Sequence, residues 1–266
     1  MLYDTHMHTH HSGDSEAAVQ DMIESAIRKG LDGICLTDHF DYDYPDEPDL
    51  FLLDFDSYYK EIKSYREKYE GRFPILWGVE IGLQPQITDV NKRTASGYPF
   101  DFIIGSSHVV HGVDPYYPKY YEGRTEREAY LEYFESILEN LHTGADFDVY
   151  GHIDYVVRYG PNRNQDYSYK KYSDVIDEIL RTLIDMGRGI EINTGGFKYG
   201  LGHPNPTEDI IRRYRELGGE IITLGSDAHC ARDLAADFGT AKEMLKAVGF
   251  REIAVYHARK PDFVRM

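Results

Sequence analysis

The sequence predicts an α/β fold, a distorted (β/α)7 TIM-like barrel, with an open twisted sheet as the alternative. Two observations carry that expectation. Short apolar runs alternate with segments of helical period along the whole 266-residue chain, the pattern of a parallel sheet joined by helical crossovers. Nearly every apolar run also ends at a histidine, aspartate or glutamate, and in a parallel barrel those ends share the one face on which active sites are built. Seven main strands fall one short of an eight-fold barrel, hence the distortion.

Residues 2–6 read as the first strand. Val19, Met22, Ile23, Ala26 and Ile27 follow the three-and-four spacing of an amphipathic helix, which Gly30 is placed to end. A second strand, 31–37, finishes at Asp38-His39, and an acidic, proline-containing loop over 40–54 follows as a candidate lid. Tyr58, Ile62, Tyr65, Arg66 and Tyr69 mark a helix, 73–79 a third strand ending at Glu80, and 86–96 a weaker helix. The fourth strand, 100–106, ends near His108, and a tyrosine-rich loop covers 109–124. After a helix carrying Leu131, Phe134, Leu138 and Leu141, the fifth strand, 147–150, runs into Gly151-His152. A polar loop over 158–169 precedes the clearest helical face in the chain, Val175 to Ile184, closed by Gly187. The sixth strand, 189–192, opens into a glycine-rich loop. Thr207 is a plausible N-cap for the next helix. The seventh strand, 220–225, leads into Ser226-Asp227-Ala228-His229; a last helix over Leu234, Phe238, Ala241 and Leu245 and a short strand at 253–256 complete the chain.

The length suits one domain over 1–266, and a hydrophobic content of 41% supplies a sizeable core. No apolar run approaches the ~20 residues of a membrane span. The first residues lead straight into a histidine-rich stretch, so no signal peptide is expected. Two cysteines, Cys35 and Cys230, cannot form a disulfide framework, which points to the cytoplasm. A net charge of −17 disfavours long nucleic acid as a partner.

The stretch from Asp4 to Asp14 packs His6, His8, His10 and His11 beside two aspartates. Side chains two apart on a strand point the same way, so His6-x-His8 offers paired imidazoles to a borderline divalent metal such as Zn²⁺, Mn²⁺ or Fe²⁺. His39, Glu80, His108, His152, Asp227 and His229 follow later strands. Taken singly, each has a duller explanation: a cap neighbour, a surface carboxylate, a core histidine. Jointly they predict one metal-rich pocket. His10, His11, His111, His142, His203 and His257 lie outside the pattern, with His11 and His111 the closest to joining it.

The segments DTHMHTHHSGD, LTDH, GVEIG, GSSH, YGHID and GSDAH, in that order, resemble the PHP (polymerase and histidinol phosphatase) family, and more narrowly its single-domain histidinol-phosphate phosphatases. The resemblance implies three divalent ions. His6, His8, Glu80 and Asp227 would hold one; bridging Glu80 with His108 and His152 the second; Asp14, His39 and His229 the third. Many members carry histidine at the position of Asp14, and His11 is close by as an alternative. Arg158 would bind phosphate, with Lys198 as a second basic residue. The implied reaction is hydrolysis of a small phosphate monoester, L-histidinol phosphate, by water deprotonated between two metals, with Glu80, Asp227 and Arg158 as catalytic residues. Phosphotyrosine protein or a small nucleotide is the alternative substrate. Carboxylates between Asp41 and Asp49 are candidates for attracting a cationic substrate. An amidohydrolase-like enzyme and a non-catalytic metal module are the remaining readings.

Overall fold

The computed structural model describes residues 1–266. Its elements, in chain order, are β1 (Tyr3–Asp4), α1 (Val19–Arg28), β2 (Gly33–Leu36), β3 (His39–Phe40), α2 (Phe55–Lys68), β4 (Ile75–Gly82), α3 (Thr88–Gly97), β5 (Phe102–Ser106) and α4 (Glu126–His142). Then come β6 (Val149–Tyr150), α5 (Ser173–Asp185), β7 (Gly189–Asn193), α6 (Gly195–Lys198), α7 (Glu208–Glu216), β8 (Ile222–Gly225), α8 (Phe238–Val248), β9 (Glu252–His257) and β10 (Lys260–Arg265). The parallel sheet runs β1-β2-β4-β5-β6-β7-β8, and β3 continues the line of β2 alongside β4. That gives the seven barrel positions expected from the sequence.

The barrel closes on itself just past β1. Thr5 N donates to Leu224 O (3.1 Å), Asp227 N to His6 O (2.9 Å) and His8 N to Ala228 O (2.9 Å). The first strand is therefore shorter than 2–6, because its last residues exchange partners from β2 to the β8 side. Central strands are buried on both faces, as parallel sheets between helices must be, and all eight residues of β4 are buried.

Helix faces explain the outer layer. Val19, Met22, Ile23 and Ala26 of α1 are buried, as are Ile176, Ile179, Leu180 and Leu183 of α5. Helix α4 starts at a capping box in which Thr125 and Glu128 satisfy each other's backbone N–H groups. One core of 67 buried apolar residues runs from Tyr3 to Val264. No helix is long and apolar enough to cross a membrane.

Three elements differ from expectation. His39 and Phe40 form β3 rather than opening the 40–54 loop, because the chain resumes pairing with Glu80 and Ile81 after a break at Thr37-Asp38. The glycine-rich stretch after β7 contains the short α6 and folds back, pairing Asn193 with Asn205. The last helix begins at Phe238, not Leu234, behind a left-handed Asp237 (φ 58°). The strand expected at 253–256 is the first half of a terminal β9–β10 hairpin; β10 begins Lys-Pro-Asp and is mostly exposed, so it lacks the apolar signal of a core strand.

Candidate metal centre

Met7 is fully buried under the sheet, and alternation sends His6 and His8 to the opposite side. Their Nε2 atoms lie 3.1 Å apart. His6 Nε2 is 3.2 Å from Glu80 Oε2, and His8 Nε2 is 3.3 Å from Asp227 Oδ1. On the other oxygen of Glu80, His152 Nε2 lies at 2.9 Å and His108 Nε2 at 3.4 Å. Asp14 Oδ2 is 3.0 Å from His229 Nε2 and 3.8 Å from His39 Nε2. Thus His6, His8, Asp14, His39, Glu80, His108, His152, Asp227 and His229 meet at one end of the barrel. Glu80 lies within β4, not after it, and its side chain stands at the centre of the cluster. The groupings interlock: His39 also presents Nδ1 to Glu80 Oε2 at 3.1 Å, and its ring stacks on that of His8 at 4.1 Å.

The surroundings dictate which nitrogen faces inward. A carboxylate or carbonyl can only accept, so the imidazole nitrogen against it carries the proton. His6 Nδ1 donates to Glu191 Oε1 (2.6 Å), His108 Nδ1 to Asp41 Oδ1 (2.7 Å) and His229 Nδ1 to the Asp227 carbonyl (3.0 Å). In the neutral rings the Nε2 lone pairs then converge on one another and on carboxylates. That is repulsive unless protons or cations lie between them, and it is the donor set that holds borderline divalent metals. Glu80 Oε2 is buried without an acceptably oriented hydrogen bond, another atom a cation would satisfy. Two glycines make room: a Cβ at Gly225 would lie 2.3 Å from His6 Cβ and 2.4 Å from Glu191 Oε1, and one at Gly82 would lie 2.0 Å from Asp41 Oδ1. The residues fit divalent ions.

Electrostatics say what holds the cluster without them. Burial disfavours the His6 imidazolium, but Glu191, Glu80 and Asp227 more than offset it and raise its pKa well above the ordinary value. His108 behaves likewise beside Asp41 and Glu80, and His39 is pushed up to about 9 against the same burial by Asp14 and Glu80. Burial, with His39 and His229 nearby, pushes His8 down to about 3. Burial opposes ionisation of Glu80 and Asp227 too, yet the facing imidazoles hold both carboxyls well below the usual range. Metal-free protein thus carries protons on His6, His39 and His108 at neutral pH, and metal binding must displace them. Affinity for Zn²⁺ is expected to rise with pH between 7 and 9. Calorimetry at pH 7 in buffers of different ionisation enthalpy should register net proton release; identical heats in all buffers would contradict this protonation pattern.

Arg158 is buried at one side of the cavity in a 3₁₀ turn, Tyr155–Arg158. Its Nη1 donates to Asp227 Oδ2 (2.9 Å), Nη2 to Asn193 Oδ1 (2.9 Å) and Nε to Asn205 Oδ1 (2.8 Å). Asp227 is itself left-handed, φ 54°, in the turn that carries it from β8 towards both Arg158 and His8. The cavity, about 450 Å³ counting its open mouth, is lined by Asp14, His39, Glu80, His108, His152 and Arg158 among others.

Several expectations are corrected here. Lys198 Nζ pairs with Asp233 (2.8 Å) and does not line the cavity, although its neighbour Tyr199 does; α6 turns the lysine outward. His11 meets Glu61 (2.9 Å) with His10, in a separate half-exposed cluster, so Asp14 rather than His11 reaches His229 and His39. His111 is exposed between Glu132 and Glu139. Of the carboxylates between Asp41 and Asp49, only Asp41 lines the cavity, engaged by His108; Asp46 pairs with Lys119 at the surface.

Sequence reasoning missed Glu191 and Asn193. Both are fully buried on β7, alternating with Ile190 and Ile192. A glutamate and an asparagine two apart in an otherwise apolar run were the available signal, since charged side chains are rarely buried unpaired. Asp38 was also missed as a positioning residue. It accepts from Thr9 N (2.6 Å), Thr9 Oγ1 and Ser12 Oγ (2.8 Å), pinning the loop that follows His8.

The model of the PHP domain family matches residues 4–195. The chain belongs to the PHP family. A Clostridium acetobutylicum protein named "Probable histidinol-phosphatase" is 34% identical over 256 residues, 95% of this chain and 96% of that one. The histidinol-phosphatase of Lactococcus lactis is 30% identical over 263 residues, covering 97% and 96%. The solved structure of the Lactococcus lactis histidinol phosphate phosphatase, complexed with zinc, L-histidinol and phosphate, superposes with a TM-score of 0.92 at 30% identity, covering 98% of both chains. The PHP barrel is thus shared over almost the full length of both.

Proposed function

We propose that this PHP chain is a metal-dependent phosphomonoesterase that hydrolyses L-histidinol phosphate to L-histidinol and phosphate, a step of histidine biosynthesis, in the cytoplasm. It would act as one domain over 1–266. The observation that carries the reading is the convergence of inward-facing imidazole nitrogens and two ionised carboxylates beside a buried arginine, all on one cavity. Likeness to the Lactococcus lactis enzyme, solved with zinc, L-histidinol and phosphate, supports the substrate.

In this reading three divalent ions (zinc, manganese or iron) would be held by His6, His8, Glu80 and Asp227; by Glu80, His108 and His152; and by Asp14, His39 and His229. When bound, such ions supply Lewis-acid charge and bring the pKa of water towards neutrality. The chain's own groups do the rest. Glu80 and Asp227 stay ionised across the working pH range. Glu191 and Asp41 orient His6 and His108, as carboxylates behind ligand histidines do. Arg158 spends three of the five N–H donors of a guanidinium on Asn193, Asn205 and Asp227. That leaves two for phosphoryl oxygens at a fixed angle. Lys198 would contribute only by leaving Asp233.

The test is phosphate release by metal-loaded protein from L-histidinol phosphate, a phosphotyrosine peptide and nucleoside monophosphates. The kcat/KM for L-histidinol phosphate is expected to exceed the others by about 100-fold or more, as expected where a site pairs polar groups only with its own substrate. Chelation should abolish the activity and added zinc or manganese restore it. A preference for the peptide or a nucleotide would overturn the assignment.

A further inference from the structure

Arg158 is held by two asparagines, and behind each asparagine stands a buried carboxylate. Nη2 of the arginine donates to Asn193 Oδ1 (2.9 Å), and Asn193 Nδ2 donates to Glu191 Oε2 (3.1 Å). Nε donates to Asn205 Oδ1 (2.8 Å), and Asn205 Nδ2 donates to Asp154 Oδ1 (2.6 Å). A guanidinium only donates and a carboxylate only accepts. An amide caught between them therefore has one orientation, oxygen to the arginine and nitrogen to the acid. Glu191 also holds His6 with its other oxygen. Asp154 has no such second task at the metal centre. It is fully buried, a costly place for a charge. It also precedes the 3₁₀ turn Tyr155–Arg158 without capping it; its side chain reaches across instead to Asn205 and to Thr207 N (3.2 Å).

The backbone sets where Asn205 lies. Asn193 and Asn205 exchange main-chain hydrogen bonds of 2.8 Å each, and Gly196 allows the close approach, since a Cβ there would lie 2.4 Å from His203 O and 3.0 Å from Asn205 Oδ1. Main-chain pairing does not decide which end of the Asn205 amide faces Arg158. The carboxylate of Asp154 does.

We propose that Asp154 is a positioning residue for phosphate binding: it fixes the Asn205 amide with its oxygen on Arg158 Nε, and so sets the direction in which the free donors of the guanidinium point. The proposal rests on the phosphomonoesterase reading. Its physical content is a count of acceptors. Two donors, Asn205 Nδ2 and Thr207 N, meet the two oxygens of Asp154. Asparagine at 154 has one oxygen. Thr207 N belongs to the main chain and keeps it. The new NH₂ group then faces Asn205, whose amide turns over and presents its own NH₂ to Arg158. A donor replaces an acceptor, and the guanidinium loses one of its three anchors.

The experiment is Asp154→Asn on metal-loaded protein, with inorganic phosphate binding read by calorimetry. Binding should weaken about 10-fold, the worth of one hydrogen bond to a charged group. Metal content should match wild type, and inhibition of turnover by L-histidinol should stay within about 3-fold of it. The exchanged pair Asp154→Asn/Asn205→Asp restores every donor and acceptor: the new aspartate accepts from Arg158 Nε and from the new asparagine, whose oxygen keeps Thr207 N. Phosphate binding should return to within about 3-fold of wild type, the coupling expected of residues in one network. A merely structural Asp154 would lower phosphate affinity, L-histidinol affinity and metal content together, with no repair by the exchange, and that result would overturn the proposal. So would unchanged phosphate binding in Asp154→Asn. Asn205→Ala removes the group through which Asp154 acts and carries the test should Asp154→Asn misfold: the same loss is expected, and none would overturn the proposal. Failure of the phosphomonoesterase reading looks different, because metal-loaded wild type would then bind no phosphate at all.

Discussion

Glu80→Gln is expected to lower phosphate release by about 10³-fold or more, the size of several kcal/mol of Lewis-acid stabilisation. No other side chain touches as many of the proposed metal-binding groups. One oxygen faces His6, His8 and His39 within 3.6 Å, and the other faces His152 and His108 within 3.4 Å. Glutamine keeps the acceptor for Ser106 Oγ, now at 2.6 Å from Oε1, so the fold should survive. What it loses is the charge. An amide cannot offer two anionic oxygens to two sets of ligands, and its N–H groups would point at imidazole nitrogens meant for cations. Metal analysis on the purified variant should therefore find fewer ions than in wild type, with kcat falling alongside. Normal metal content with normal turnover would remove Glu80 from the centre of the account.

The position of Glu80 also explains how much was legible beforehand. Strand ends can be read from apolar runs, and a parallel barrel puts those ends on one face whatever the exact register. That is why His6, His8, His39, His108, His152, Asp227 and His229 could be gathered from residues scattered over the chain. Asp14 is different: its loop position carries no periodic signal, and the family likeness supplied it. The residues behind the ligands were mostly not legible. Glu191 and Asp41 act through hydrogen bonds to His6 and His108 across 185 and 67 positions of sequence, and nothing local marks such a pairing. Asn205 is further hidden, because it reaches Arg158 only after the stretch beyond α6 folds back to pair with Asn193. Lys198, expected at the cavity, lies outside it for the same reason. A short helix in a glycine-rich segment decides which of two neighbours, Lys198 or Tyr199, faces inward, and four residues give too little periodicity to tell.

Arg158→Met is expected to cost about 10²- to 10³-fold in kcat/KM, the worth of two charge-assisted contacts to phosphoryl oxygens. Arg158→Lys should rescue little of it. The guanidinium is held at three points by Asn193, Asn205 and Asp227, and it lies over the Tyr199 ring at 4.8 Å. A lysine ammonium is a point charge; it can satisfy one of those acceptors but cannot span all three and still present paired donors to phosphate. The competing explanation is that Arg158 merely props Asp227, whose carboxyl it helps His6 to hold low. Inhibition by inorganic phosphate separates the two. If Arg158 binds the phosphoryl group, phosphate inhibition weakens by tenfold or more while bound metal stays at the wild-type level. If it is a prop, metal is lost first, and phosphate inhibition of the remaining metal-loaded fraction is unchanged. The geometry favours the first outcome, because Asp227 keeps its other oxygen on His8 at 3.3 Å whether or not the arginine is there.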